Sequence, residues 1–346
     1  MPQPAELNFG DYQRQFHAGW SHLNDPHVRA LAWLLTSPHL LNPVSPVWHG
    51  ASVAPVLPRS DAVYAFLTML DQQPAALHDA LAAAPTRRLG LYAETLFGFF
   101  LDQFTTLCAH GLQVQDPGGR TVGEFDFLVR ESGALSHWEL ATKFYLLDSA
   151  REGDQSLPDP DARPDLFDYL GPNLGDTLGA KMDKIVRQQL RLPHHPAAMQ
   201  ALDWPVRQSQ AWIKGWLFYR NPAQTRTDHL PEGIAAHHCA GYIWTLDDLR
   251  KHPVFQGVIL PRLEWLAPAQ CLPQQVSSQS ALIDEIGRQM VHIASPVMLA
   301  MTRTVNDSAR EICRGMVLPE DWWARAALAR PVLKPGRKNV ADSDPV

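Results

Sequence analysis

The chain lacks the marks of several common protein classes. Its four cysteines, Cys108, Cys239, Cys271 and Cys313, are scattered through 346 residues, with no CxxC pair and no dense disulfide framework, so reduced thiols are expected. Fifteen histidines make neither an HExxH nor a paired CxxC/HxxxH spacing. Solvated or packed imidazoles are therefore the default reading, and no zinc site is expected. No GxxxxGK[ST] loop, GxGxxG fingerprint or GxSxG elbow occurs, which removes the usual nucleotide-hydrolase, dinucleotide-oxidoreductase and nucleophile-elbow hydrolase readings. No uncharged apolar run reaches the ~18 residues of a membrane span, and the opening MPQPAELNFGDYQRQFHAGW has no basic start, apolar run or cleavage site. A cytoplasmic protein without a membrane partner is expected. A large excess of positive charge is also missing: the formal net charge is −6, so any contact with a polyanion must come from a local basic surface.

What is present is ordinary globular composition, 45% apolar and 19% charged, enough for one large core with helical elaborations or for two closely packed domains. Residues 1–84 read as a helical region broken by Pro-rich connectors. Residues 85–265 read as the core, 266–330 as a C-terminal helical extension with helices near 280–293 and 319–328, and 331–346 as a disordered tail. Within the core, RRLGLYAETLFGFFLDQF sets Leu89, Leu96, Phe99 and Phe100 on a helical apolar stripe, which leaves Glu94 as a carboxylate among core-facing residues. Three strand-like segments follow, 111–115, 121–130 and 137–147, separated by the turn signals DPGG and ESGAL. The Asp/Pro/Gly-rich stretch 148–173 reads as a long loop. An amphipathic helix over 176–191 and a buried strand over 210–219 come next, with short strands expected at 242–246 and 257–260.

The chemistry sits in GEFDFLVR (123–130) and HWELATKFYLL (137–147). Alternation along a strand puts Glu124, Asp126, Leu128 and Arg130 on one side of the first segment, and Glu139, Ala141, Lys143 and Tyr145 on one side of the second. If the two pair as a hairpin, Asp126 and Glu139 approach closely enough to share a hard divalent cation, with an ammonium nearby to orient water and stabilise developing charge. The competing reading is an ion pair of Glu139 and Lys143 on a solvated face, with Asp126 capping or solvating a neighbouring strand. The strongly apolar opposite faces (Phe125, Phe127, Val129; Trp138, Leu140, Phe144, Leu146) argue for a central, covered sheet instead. The tryptophans at 204, 212, 216, 244, 265, 322 and 323 could stack on unpaired bases, although packing is their commoner fate.

On these residues the order of elements resembles the PD-(D/E)XK nuclease superfamily. The resemblance, over about residues 87–220, implies an α/β fold with a restriction-endonuclease-like α-β-β-β-α-β core, a mixed central sheet and added helices at both ends. It implies that Glu94 matches the first-helix acid, Asp126 the second-strand aspartate and Glu139 the third-strand acid. These three would hold Mg²⁺ or Mn²⁺, with Lys143 assisting. The lysine expected two residues after Glu139 is Ala141; Lys143 lies one pleat further on the same face. The helix over 176–191 resembles the second core helix, with Lys181, Lys184 and Gln188 spaced to meet successive phosphates, the competing reading being a solvated amphipathic surface. The implied activity is metal-dependent hydrolysis of phosphodiester bonds in nucleic acid, DNA before RNA. The alternative is a catalytically silent nucleic-acid-binding or protein-interaction module on the same fold. The segments LGPNLGDTLGAKMDKI and ILPRLEWLAP also resemble an uncharacterised bacterial family of the DUF1853 type.

Overall fold

In the computed structural model, residues 10–54, 61–131, 133–148 and 163–333 are described. The N-terminal region is helical as expected: α1 (Asp11–Trp20), α2 (Pro26–Thr36), α3 (Asp61–Gln72) and α4 (Ala75–Ala83). Asp25 starts α2 by accepting the amides of His27 and Val28, with Pro26 at the first helical position, where its missing N–H costs nothing. Then come α5 (Leu89–Phe104), β1 (Thr106–Gln115), β2 (Thr121–Glu131) and β3 (Ala134–Leu147). The two-residue β4 (Tyr169–Leu170) leads to α6 (Leu178–Arg187), α7 (Pro196–Ala201) and β5 (Val206–Tyr219). The remainder is β6 (Cys239–Trp244), α8 (Leu246–Lys251), β7 (Gln256–Ile259), β8 (Gln270–Cys271), β9 (Ser277–Ser278), α9 (Gln279–His292), β10 (Val297–Val305), β11 (Ser308–Val317) and α10 (Trp322–Leu333).

One mixed sheet organises the chain, in the order β1-β2-β3-β5-β6-β11-β10-β7-β9, with β4 added to β3 and β8 to β11. β1, β2 and β3 form an antiparallel meander. β5 then lies parallel to β3 over most of its length, because α6 carries the chain back across the sheet, as a parallel pair requires. β5 pairs β6, and β6 pairs β11, in parallel. Both faces of the sheet are covered. On one, α2 and α5 pack Leu96, Phe97 and Phe100 against Phe127, Trp138, Trp212 and Trp216. On the other, α6 lays Met182, Ile185 and Val186 over Ala141, Tyr145, Ala211 and Ile213. A central strand covered on both faces needs apolar residues at consecutive positions, which QAWIKGWLFY supplies. The free edge of β5 beside β6 is closed by an N-terminal strap: the Ala211 amide donates to the Ser52 carbonyl at 2.8 Å, and the Leu40 amide to the Ile213 carbonyl at 3.1 Å.

The C-terminal region differs from the expected helical extension. Its two helices are present, α9 and α10, but between them β10 and β11 form a long antiparallel hairpin that inserts beside β6. VMLAMTRTV and SAREICRGMV alternate weakly because their inner ends are buried on both faces, and short apolar runs of that kind do not declare a period. The sheet thus runs unbroken across the boundary expected at 265. The tail from 334 onward and most of the loop 148–173 lie outside the described residues. The four cysteines are free thiols. Trp212, Trp216, Trp244, Trp265 and Trp322 are buried, while Trp204 is exposed and carries the Arg130 guanidinium 5.1 Å from its ring centre.

Candidate active site

The β2–β3 ladder ends at Phe127 opposite Trp138. One step further Asp126 falls opposite Glu139, and there the strands part. In place of a backbone partner, the Leu140 amide donates to Asp126 Oδ2 at 2.9 Å. The divergence opens room on the α6 face for the two carboxylates, since cross-strand neighbours share a face. Glu139 is buried, 2% exposed, and Asp126 and Lys143 are half-buried. Glu94 reaches the group from the flank of α5, also half-buried.

The charges of these four residues act on one another. Burial, then the Asp126 charge, pushes Glu94 up to about 7. Burial, then the Glu139 charge, pushes Asp126 up to about 8, although the Leu140 amide opposes this. Glu139 is raised to about 8 by burial and the Glu94 charge, against the attraction of Lys181, Lys143 and Lys184. Lys143 is lowered to about 8 by burial and the Lys181 charge. Burial, with repulsion among the carboxylates second, thus lets Glu94, Asp126 and Glu139 retain protons near neutrality.

Two further residues belong to the site. Gln189 donates its amide to Glu139 Oε1. It does so because α6 ends at Arg187, and the chain continues through a tighter turn, Gln189–His194, instead of the regular helix to 191 that was expected. Gln188 is turned into solvent and Gln189 inward, so the adjacent glutamine contacts the acid. Lys181 and Lys184 keep their places on α6, both near enough to influence Glu139. His137 shares the Glu139 face and is fully buried. Its Nε2 stands 3.6 Å from Glu139 Oε2, and burial holds it neutral, with a pKa lowered to about 4. Alternation along β3 puts His137 on this face; nothing local to the sequence singles out Gln189.

Glu139 Oε2 is buried without a hydrogen-bond partner. An orphaned carboxylate oxygen beside a second, proton-retaining carboxylate is a donor set suited to a hard divalent cation, which takes oxygen ligands and commonly needs only one or two protein carboxylates beside water. Among the described residues, no three His, Cys, Asp or Glu side chains are grouped so as to hold a metal ion as they stand. The expected ligand set of Glu94, Asp126 and Glu139 is therefore not gathered around one point; Glu139 and Asp126 are the carboxylates that would hold such an ion.

The chain belongs to a family described as a domain of unknown function, DUF1853, whose model matches residues 29–318. That span includes every residue of the site and the hairpin of β10 and β11. No curated protein and no solved structure matches the chain.

Proposed function

We propose that the protein is a Mg²⁺- or Mn²⁺-dependent nuclease that hydrolyses phosphodiester bonds, in DNA before RNA, on a restriction-endonuclease-like core. The observation that carries this reading is the pair Asp126 and Glu139, opposed across parting strands, with a free buried oxygen on Glu139 and with Lys143 one same-face position past Ala141. The helix, three-strand meander, helix and parallel strand from 89 to 219 follow the same order as that core.

In this reading Asp126 and Glu139 hold the cation, which supplies Lewis acidity to the phosphodiester group. Gln189 holds one oxygen of Glu139 and leaves the second, buried and unpartnered, for the cation. Lys143, held near neutral pKa by burial and Lys181, orients the attacking water through Nζ and offsets negative charge on the phosphate. Glu94, with a pKa of about 7, exchanges a proton at its carboxylate near neutral pH.

The second reading, a silent nucleic-acid- or protein-binding module on the same fold, is favoured by Ala141 standing where a lysine is expected. Incubating the purified protein with linear, circular, single-stranded and structured DNA and RNA, with Mg²⁺ or Mn²⁺, decides between them. Metal-dependent cleavage that falls on the order of 10²–10³-fold in Asp126→Ala and Glu139→Ala supports the nuclease. Cleavage that survives both substitutions overturns the site, and no cleavage of any substrate leaves the silent module.

A further inference from the structure

Beside the carboxylates, on the α6 side of the sheet, lies a cleft of 420 Å³. Its walls are the strap 48–52, the end of α6 with the turn after it, and the first residues of β5. Two arginines and two histidines, Arg191, Arg207, His49 and His194, line it, and no Asp or Glu does. In a chain of net charge −6 that is a local reversal of sign.

The arginines are also uncommitted. Elsewhere on the surface Arg187 pairs with Asp183, Arg226 with Asp228, Arg288 with Glu285 and Arg325 with Asp321. Among the described residues Arg191 and Arg207, like the exposed Arg250 and Arg303, have no ion-pair partner, and both are exposed; what sets them apart is that they line one cleft. A guanidinium with no carboxylate is a fork available for phosphate oxygens.

The position ties the cleft to the site. Ser209 at its floor pairs across the sheet with His137, two residues before the pairing of Ala211 with Glu139, a separation of about 6.6 Å along the strand. Arg191 follows Gln189, which holds Glu139, by two residues. Beside the polar Ser52, Gln208 and Ser209, the lining includes an apolar wall of Trp48, Val186, Leu190, Pro193 and Val206, which suits the face of a sugar or base.

We propose that this cleft binds the backbone of a single nucleic-acid strand next to the reacting phosphodiester, with Arg191 and Arg207 on a phosphate and the apolar wall against its nucleoside. A volume at the low end of ligand pockets admits one nucleotide and excludes a duplex. The inference rests on the nucleic-acid reading above but not on cleavage.

The test is fluorescence anisotropy of a labelled single-stranded DNA of about 20 nucleotides in EDTA across a salt series. The proteins compared are the wild type, the double variant Arg191→Ala/Arg207→Ala and its charge-keeping control Arg191→Lys/Arg207→Lys. The alanine variant should bind about tenfold more weakly and lose about one from the slope of log affinity against log salt, with its melting temperature unchanged. The lysine control should keep most of the salt slope. Equal affinity and slope in wild type and alanine variant overturn the cleft even if the wild type cuts DNA. Loss of binding in the variant supports the cleft even if no cleavage is ever seen, which separates its fate from that of the nuclease. A wild type that binds no single strand at all overturns the cleft.

Discussion

Under the proposed function each side chain at the site would have a separable job, and its loss should read out differently. Asp126→Ala and Glu139→Ala would remove the proposed cation ligands, whereas Gln189→Ala would leave them but free Glu139 to turn. The latter should weaken metal affinity by about 10–100-fold, measured as Mn²⁺ binding by calorimetry, with the fold intact by circular dichroism. Unchanged Mn²⁺ affinity would show that Gln189 only packs. A second expectation concerns protons. The carboxyls of Asp126 and Glu139 rise from 3.8 and 4.5 to about 8 in the folded chain, so between those limits the folded state binds more protons than the unfolded one. The contribution of these two carboxyls to stability must then fall as pH rises through that window, against the smaller opposite contributions of His17, His137 and His238, lowered to about 4, and of Lys214, lowered to about 7. Metal-free protein should melt at a lower temperature at about pH 8.5 than at about pH 5.5, and added Mg²⁺ should raise the melting temperature more at the higher pH, because cation and proton compete. Asp126→Asn/Glu139→Gln should flatten both trends. A metal-free melting temperature that climbs over the window would contradict the arrangement. At this level the sequence was informative wherever period two decides the answer: alternation alone aligns Asp126, Glu139 and Lys143. It was silent on Gln189, whose contact depends on where a helix stops.

That stop is a matter of elements, and elements explain what was legible and what was not. The meander, α6 and β5 were readable because turn residues, cap residues and unbroken apolar runs mark them, and Thr177 accepting the Ala180 amide at the start of α6 is such a mark. The hairpin of β10 and β11 was not, because its pairing is with β6 and β7, far away in sequence, and its burial follows from that tertiary position. Where β3 and β5 lie side by side, Lys143 pairs with Gly215, and a methyl group on Gly215 would stand 1.9 Å from the Lys143 carbonyl oxygen. Gly215→Ala must therefore push the strands apart at the lysine. The expected outcome is a loss of about 1–3 kcal/mol in denaturant unfolding together with reduced cleavage, while Gly287→Ala, whose methyl meets only Leu246 Cδ1 at 3.9 Å, should leave cleavage unchanged. A Gly215→Ala protein as stable as the wild type would show that the approach is slack.

Taken whole, the chain is joined across its length by one sheet and by a buried polar knot between its ends. Glu311 on β11 takes hydrogen bonds from Arg314, from the Ala269 amide and from Gln13 on α1, and Arg314 also reaches the Ala267 carbonyl. Arg29 on α2 binds the neighbouring Pro268 carbonyl at 2.9 Å. Glu311→Ala would strand two buried guanidinium groups near each other, at a cost of about 3–5 kcal/mol, and should lower the melting temperature of N- and C-terminal probes together, not one alone. Separate transitions would mean that the halves fold apart.

The strap over β5 bears on how this protein behaves when damaged. A strand in mid-sheet with half its edge bare is a template for another copy's backbone, and residues 40–52 fill that vacancy from within the same chain. Nicking by a protease ahead of the first core helix would unseat the strap, and the exposed ribbon would then recruit a neighbour, turning a monodisperse sample into dimers or fibrils that bury the cleft rim as they grow.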